Sequence, residues 1–369
     1  MKLNVNYVLL LTYSGIFGGI VHCNVLVGFS SALPKDWDQP EGKLIGGHST
    51  TPSKHPYLVS LQTRFFIVRA HICGGTLLNE NWILTAAHCI PGSFLIKWFP
   101  MDAIAGASNA HEAQASKFGP GTQIVTVDQR IPHPDFRKLQ RRLKKYTYIR
   151  ILRCFAVSHK INGRGLTLIH IHTFFFLSEI GPNDIAVLHT SSPFKFTKYV
   201  KPARLPVHFK TTYEHPLKLT GWGVLRTTTF FPDLPKYLQE VNVTYLPYKD
   251  CYKAVDNIKE AGEINALDEA SNICTGPITG GVSACSGDSG GPLIELIPKF
   301  EEINDEDNHI EDHYPLSLPQ SKGDKKREAT PVVVGVVSWG VTPCGEKGAP
   351  TVYTKVEHFI NFINKYIQF

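Results

Sequence analysis

Residues 284–293 read Ala-Cys-Ser-Gly-Asp-Ser-Gly-Gly-Pro-Leu, so that Ser289 stands among Gly287, Gly290 and Gly291 with Asp288 just before it. A serine hydroxyl attacks a carbonyl at neutral pH only when a base takes its proton and donors wait for the oxyanion that develops. Glycines let backbone N–H groups approach a reacting carbonyl. The N–H groups of Gly287 and Ser289 would form such a hole, kept open by the missing side chain at Gly287. The plain alternative is a Gly-rich surface turn, and the rest of the chain decides between the two.

A base is available in Thr85-Ala86-Ala87-His88-Cys89, directly after the apolar run Trp82-Ile83-Leu84, which reads as a buried strand. His88 is therefore expected where a strand ends. A carboxylate is available in Asn183-Asp184, which opens the apolar run Ile185-Ala186-Val187-Leu188. An aspartate buried there needs a hydrogen-bond partner. A histidine Nδ1–H would satisfy it and fix the tautomer that leaves Nε2 free to accept the serine proton.

The order His88, Asp184, Ser289 and the words around each resemble the chymotrypsin-like serine proteases, the trypsin superfamily. The resemblance extends to Lys43-Leu44-Ile45-Gly46-Gly47, Cys73-Gly74-Gly75-Thr76-Leu77, Thr220-Gly221-Trp222-Gly223, Ser338-Trp339-Gly340 and Pro350-Thr351-Val352-Tyr353. It covers nearly everything from Lys43 to Phe369 apart from two insertions. It implies an all-β protein of two antiparallel β-barrels, with His88 and Asp184 from the first, Ser289 from the second, and the active site in the cleft between them. The expected extents are about 55–194 and about 217–355. Short β-branched segments such as Leu58-Val59-Ser60-Leu61, Gln123-Ile124-Val125-Thr126-Val127, Glu240-Val241-Asn242-Val243 and the valine run 332–337 read independently as strands. Val356, Phe359, Ile360, Ile363 and Ile367 share one helical face, which predicts a C-terminal helix over 356–369 docked on the body.

A chain of 369 residues has volume for two domains and a substantial core. Residues 1–32, with Lys2 ahead of Val8-Leu9-Leu10-Leu11, read as a secretory signal, cleaved after Cys23 or after Ala32. Although the stretch is long enough to span a bilayer, His22, Asn24 and its glycines favour cleavage over a membrane anchor. Secretion places the enzyme in an oxidising compartment, where the remaining cysteines should pair, and spacing alone leaves the pairing open. The resemblance implies Cys73 with Cys89, Cys251 with Cys274, and Cys285 with Cys344, with the states of Cys23 and Cys154 left open. No cysteine or histidine spacing makes a persuasive zinc site, His170-Ile171-His172 being the nearest approach, and the mechanism requires no metal or organic cofactor.

Segment 137–177 carries ten Lys or Arg and no acid; without it the formal charge of +6 becomes 28 bases against 32 acids, a balance of −4. The basic character thus belongs to one insert. It reads as a solvated or membrane-seeking loop, a nucleic-acid or heparin patch, or non-coding sequence translated in error. Its unpaired Cys154 and lack of any period favour the last, so neither a nucleic-acid partner nor stable membrane association is expected. Segment 295–328 is acidic and poor in apolar residues, the composition of a solvated loop.

In the family, cleavage ahead of a segment like Leu44-Ile45-Gly46-Gly47 creates an α-ammonium that pairs with the aspartate preceding the nucleophile. Residues 33–43 would then be a propeptide, a trypsin-like protease would cut after Lys43, and Asp288 would receive the Leu44 ammonium as the counter-charge a buried carboxylate needs. The peptidase domain proper is 44–369. The position at the base of the primary pocket matches Ser283, where an aspartate would select Arg or Lys. Ser338, Trp339 and Gly340 line the substrate side, and Thr351 narrows the interior. These imply cleavage after Leu, Met or Phe, with an elastase-like taste for Ala or Val as the runner-up. The rival to catalysis is a binding or lectin-like role, as in superfamily members that have lost activity. Asn242-Val243-Thr244 is a glycosylation sequon in a strand-like context. Expected partners are protein or peptide substrates, the activating protease and protein inhibitors of a monomeric, secreted enzyme.

Overall fold

The computed structural model describes residues 46–65, 68–90, 99–111, 118–136, 157–161, 164–168, 181–206, 213–224, 234–259, 265–298, 329–340 and 344–367. The expected signal, Cys23, Lys43, Leu44, Cys154, His170, His172 and most of both inserts lie outside them. The strands are β1 (His48–Ser49), β2 (Leu58–Phe65), β3 (Val68–Leu77), β4 (Trp82–Thr85), β5 (Met101–Ala105), β6 (Gln123–Pro132), β7 (Val157–Ile161), β8 (Arg164–Leu168), β9 (Ala186–Thr190), β10 (Leu217–Gly221), β11 (Gln239–Leu246), β12 (Asn272–Gly276), β13 (Pro292–Pro298), β14 (Ala329–Gly340) and β15 (Thr351–Lys355).

Six of them close an antiparallel barrel in the order β2-β3-β4-β9-β6-β5. Six more run β11-β10-β13-β14-β15-β12, and the pairing of β11 with β12 closes the second barrel, with β1 added outside β11. Closure pairs both sides of every strand within each barrel, which is how a sheet protein of this size avoids edge-to-edge association. The valine run of β14 shows why its pattern is continuous rather than alternating. Val332, Val334 and Val337 face the core of the second barrel with Leu219, Leu293 and Tyr353. Val333 and Val336 face the other way, onto a core shared with Val356, Phe359 and Ile363 at the C-terminus and with Ile83, Leu84 and Val187.

Three boundaries differ from the sequence expectation. The acidic insert does not begin at Glu295, because β13 continues to Pro298 and Glu295 is fully buried beside His215. The C-terminal helix opens as a 3₁₀ turn at Val356–Phe359 before α-helix Ile360–Asn364, with Val356, Phe359, Ile363 and Ile367 buried. Within the basic insert, β7 and β8 pair as an antiparallel hairpin, in a unit separate from the one that carries both barrels. An α-helix not anticipated, α1 (Tyr248–Ile258), buries Cys251, Ala254 and Val255. Their i, i+3, i+4 spacing was the available signal.

Candidate active site

His88 sits on the 3₁₀ turn Ala87–Cys89 that follows β4, and Asp184 lies two residues before β9. Because β4 and β9 are neighbours, with Thr85 opposite Ala186, the turn and the aspartate meet at one end of the first barrel. Asp184 is 1% exposed and fully occupied. Its Oδ2 lies 2.7 Å from His88 Nδ1, and its Oδ1 accepts the His88 backbone N–H at 2.9 Å. Ser338 Oγ donates to Oδ2 at 2.6 Å, and Thr354 Oγ1 donates to the Asp184 carbonyl at 2.7 Å. The imidazole, with Nδ1–H on the carboxylate, is held in the tautomer whose Nε2 can take a proton.

Ser338 and Thr354 come from the second barrel. The ladder between β14 and β15 shifts register between Val337 and Trp339, and such an irregularity re-aims the side chain it carries. Ser338, expected to line the substrate side, thus places its hydroxyl on Asp184. Thr354 was not anticipated; it alternates on β15 with no sequence signal to single it out.

The loop of Ser289 is pinned from several sides. The Ser289 carbonyl accepts the Gly74 N–H at 2.7 Å, Gly290 N–H donates to Val337 at 2.8 Å, and Gly291 N–H donates to Asp288 at 2.9 Å. A Cβ on Gly290 would fall 2.2 Å from Thr85 Oγ1 and 3.0 Å from Cys89 Sγ, the two residues that bracket the His88 turn. Only a glycine lets the serine loop lie so close to the histidine loop. Gly287 has φ +101°, and its carbonyl lies 2.8 Å from His71 Nε2. His71 was missed from the sequence. Burial, with His111 edge-on at 5.3 Å, pushes its pKa down to about 4, so it is neutral at pH 7 and donates Nε2–H to Gly287 while Ser60 lies at Nδ1.

Asp288 is 1% exposed and packed against the Thr220-Gly221-Trp222-Gly223 turn, where a Cβ on Gly221 or Gly223 would overlap its carboxylate. Gly223 N–H reaches Oδ1 at 2.8 Å and Cys285 N–H reaches Oδ2 at 3.0 Å. Burial outweighs these two bonds and raises the carboxyl to about 6. Gly46, two residues after Leu44, packs on the same barrel, since a Cβ there would meet the Gly281 carbonyl and Val282.

Ser283 and Thr351 are buried and bonded to each other, Oγ to Oγ1, at 3.1 Å. Ser283 Oγ also donates to the Ala284 carbonyl at 2.8 Å, and Thr351 Oγ1 accepts the Ala284 N–H at 3.2 Å. Trp339 packs against Cys251, Cys274 and Val352, while a Cβ on Gly340 would meet only the Pro350 carbonyl at 3.9 Å. The bonds Cys73–Cys89, Cys251–Cys274 and Cys285–Cys344 are present. The first ties the His88 turn to β3, and the last ties the serine loop to the segment after Gly340. Among the described residues Cys73, His88 and Cys89 form a group with metal-ligand proximity, but the two sulfurs are bonded to each other and neither is a thiolate. Asn242 and Thr244 are exposed on β11, with Lys218 Nζ at 3.2 Å from the Asn242 amide oxygen. No helix among the described residues is long and apolar enough to cross a membrane.

The imidazole of His88, backed by the buried Asp184 carboxylate, lies on a turn that the serine loop approaches through Gly290, an arrangement of the kind that acid–base chemistry uses. The trypsin family model matches residues 44–299. The chain is 28% identical over 329 residues to kallikrein 1-related peptidase b3 of Mus musculus, covering 88% of this chain and 89% of that one. It is 30% identical over 297 residues to kallikrein 1-related peptidase-like b4 of Mus musculus, covering 79% and 80%. It is 25% identical over 340 residues to lectizyme of Glossina austeni, covering 89% and 88%.

Proposed function

Because the chain belongs to the trypsin family and is a serine endopeptidase, we propose that it is a secreted zymogen that, once cut after Lys43, cleaves peptide bonds following apolar residues. Ser289 is the nucleophile, His88 the base, and Asp184 the group that orients and stabilises the imidazole. The observation that carries this reading is the double contact of Asp184 with His88, to ring and backbone at once. It favours one tautomer and one ring orientation, with Nε2 left to take a proton, which is what a base for Ser289 requires. The acyl-enzyme forms as Ser289 Oγ bonds to the substrate carbonyl carbon, His88 takes the hydroxyl proton and then gives it to the departing amine. Water repeats the sequence to release the acid and return Ser289.

The primary preference rests on Ser283 and Thr351. Two hydroxyls bonded to each other, at positions the resemblance assigns to the pocket, supply no carboxylate to balance a basic side chain, and a threonine where the family often has glycine takes up volume. The substrate side chain is therefore uncharged and of medium size, Leu or Met before Phe, with Ala and Val the next choice. A methylene is worth about 1–3 kcal/mol in such a pocket, so the preference is broad. The similarity to lectizyme motivates a second reading, a binding protein of weak or no activity.

The test is hydrolysis of peptide substrates ending in Lys, Phe, Leu or Ala by the chain cleaved after Lys43, with Ser289→Ala as control. Leu or Phe turnover lost in the control supports the whole reading. Lys turnover would overturn the pocket assignment and keep the protease, and absence of turnover would favour the binding protein.

A further inference from the structure

We propose that the Glu240 carboxylate is a positioning residue for activation, a latch that holds the chain just beyond the cleavage site onto the second barrel so that the new N-terminus can be seated at Asp288. The inference rests on the activation reading above.

Glu240 lies on β11 with its side chain 7% exposed, an unusual place for a carboxylate, and four groups from three parts of the chain converge on it. From β1, His48 Nε2 lies 2.8 Å from Oε1. Just after β1, Thr50 Oγ1 donates to Oε2 at 3.0 Å. From the turn ahead of β2, the buried His55 contacts Oε2 through Nε2, and its Nδ1 lies 2.9 Å from the Tyr57 hydroxyl. From β10, Lys218 Nζ lies 3.8 Å from Oε1. Backbone pairing follows the same line, with His48 opposite Glu240, Ser49 opposite Gln239, and Thr50 N–H on the Leu238 carbonyl at 2.8 Å.

The consequence is topological. Residues 46–50 are the stretch nearest the proposed cleavage site, and they continue into β2 of the first barrel, yet they lie on the second. Gly46 touches Gly281 and Val282 at one end, and His48, Thr50 and His55 grip Glu240 at the other. A two-residue strand has too few ladder bonds to hold itself. The carboxylate supplies what the short ladder lacks. Burial would raise the Glu240 carboxyl, but the His55 contact, the Thr50 hydroxyl and Lys218 outweigh it and hold the group at about 2, so the charged form persists at every pH at which the fold is of use. Burial lowers His55, with Lys54 and Lys218 acting in the same direction against the pull of Glu240.

The experiment measures how well the Leu44 amino group is protected after cleavage, from the rate at which cyanate carbamylates it and inactivates the enzyme. Seating buries the amine, so the rate reports the unseated fraction and not the thermal stability of the barrels. Glu240→Gln keeps shape and removes charge; loss of charge-assisted hydrogen bonds predicts about tenfold faster carbamylation. His48→Asn, at a side chain 57% exposed and safe for folding, predicts a smaller acceleration in the same direction. A Glu240→Gln enzyme that melts earlier but is carbamylated at the wild-type rate would show Glu240 to be packing only and overturn the latch. An Asp288→Asn enzyme that stays active with its amine protected would instead overturn the activation reading, and the latch with it.

Discussion

Asp184 and Asp288 are each 1% exposed, and each stands beside a residue expected to do the chemistry, yet their surroundings are opposite in kind. The Asp184 carboxylate receives an imidazole, a backbone N–H and a hydroxyl, drawn from both barrels. Asp288 receives two backbone N–H groups and is pushed up to about 6 by its burial. The first carboxylate is met by a hydrogen-bonding side chain from each barrel, whereas on the proposed reading the second is completed by the ammonium that cleavage creates. A buried carboxylate without a counter-charge is costly, and a newly made ammonium brought to it would convert the cost into a driving force for ordering the serine loop. On the proposed reading, catalytic orientation is built in at Asp184 while control is concentrated at Asp288.

The widest separation of the two roles comes from Asp184→Asn. An amide leaves the geometry but favours the wrong imidazole tautomer, and kcat should fall about 10,000-fold in the cleaved enzyme while cleavage after Lys43 and thermal stability change little. Asp288→Asn should act differently, leaving the activity of the uncleaved chain unchanged and abolishing the gain that cleavage brings. The loss expected is that of an oxyanion donor, about 100- to 1,000-fold in kcat between cleaved wild type and cleaved variant. Equal effects of the two substitutions before and after cleavage would erase the distinction. Ser338→Ala removes one donor from the Asp184 carboxylate and leaves the others, so kcat should drop roughly tenfold with KM nearly constant.

The smallest effect concerns pH. The folded Asp288 carboxyl titrates above its ordinary 3.8, so in the uncleaved chain its ionisation costs stability, and the cost appears as pH rises from about 4 to about 6. Its full size, from the difference between those values, is roughly 3 kcal/mol. Pairing with the Leu44 ammonium removes it. The Tm of the cleaved protein minus that of the uncleaved protein should therefore be near zero at pH 4 and grow by several degrees by pH 7.

The meeting of His88 and Asp184 was legible because each sits in a short local word whose apolar flank announces a strand. Trp82-Ile83-Leu84 before His88 and Ile185-Ala186-Val187 after Asp184 became β4 and β9, neighbours whose pairing brings the two side chains together. The three disulfides were legible only through the resemblance, since spacing permits other pairings. What sequence hid was polar and long-range. Glu240 reads as an outward charge between Gln239 and Val241, and its partners His48 and His55 lie 192 and 185 residues away. His71 looks like any histidine in a strand until barrel closure sets it against Gly287 and His111. Glu295 has the composition of the acidic insert and the burial of the barrel, because strand β13 runs three residues past it.

The central claim, that cleavage after Lys43 completes a Ser289 nucleophile, is tested most directly by labelling the protein with a fluorophosphonate before and after that cleavage and locating the adduct by mass spectrometry. The account predicts one phosphonyl group per chain, on Ser289 Oγ, formed at least about 100 times faster after cleavage. Equal labelling before and after, an adduct on another residue, or no labelling of the cleaved chain would contradict it.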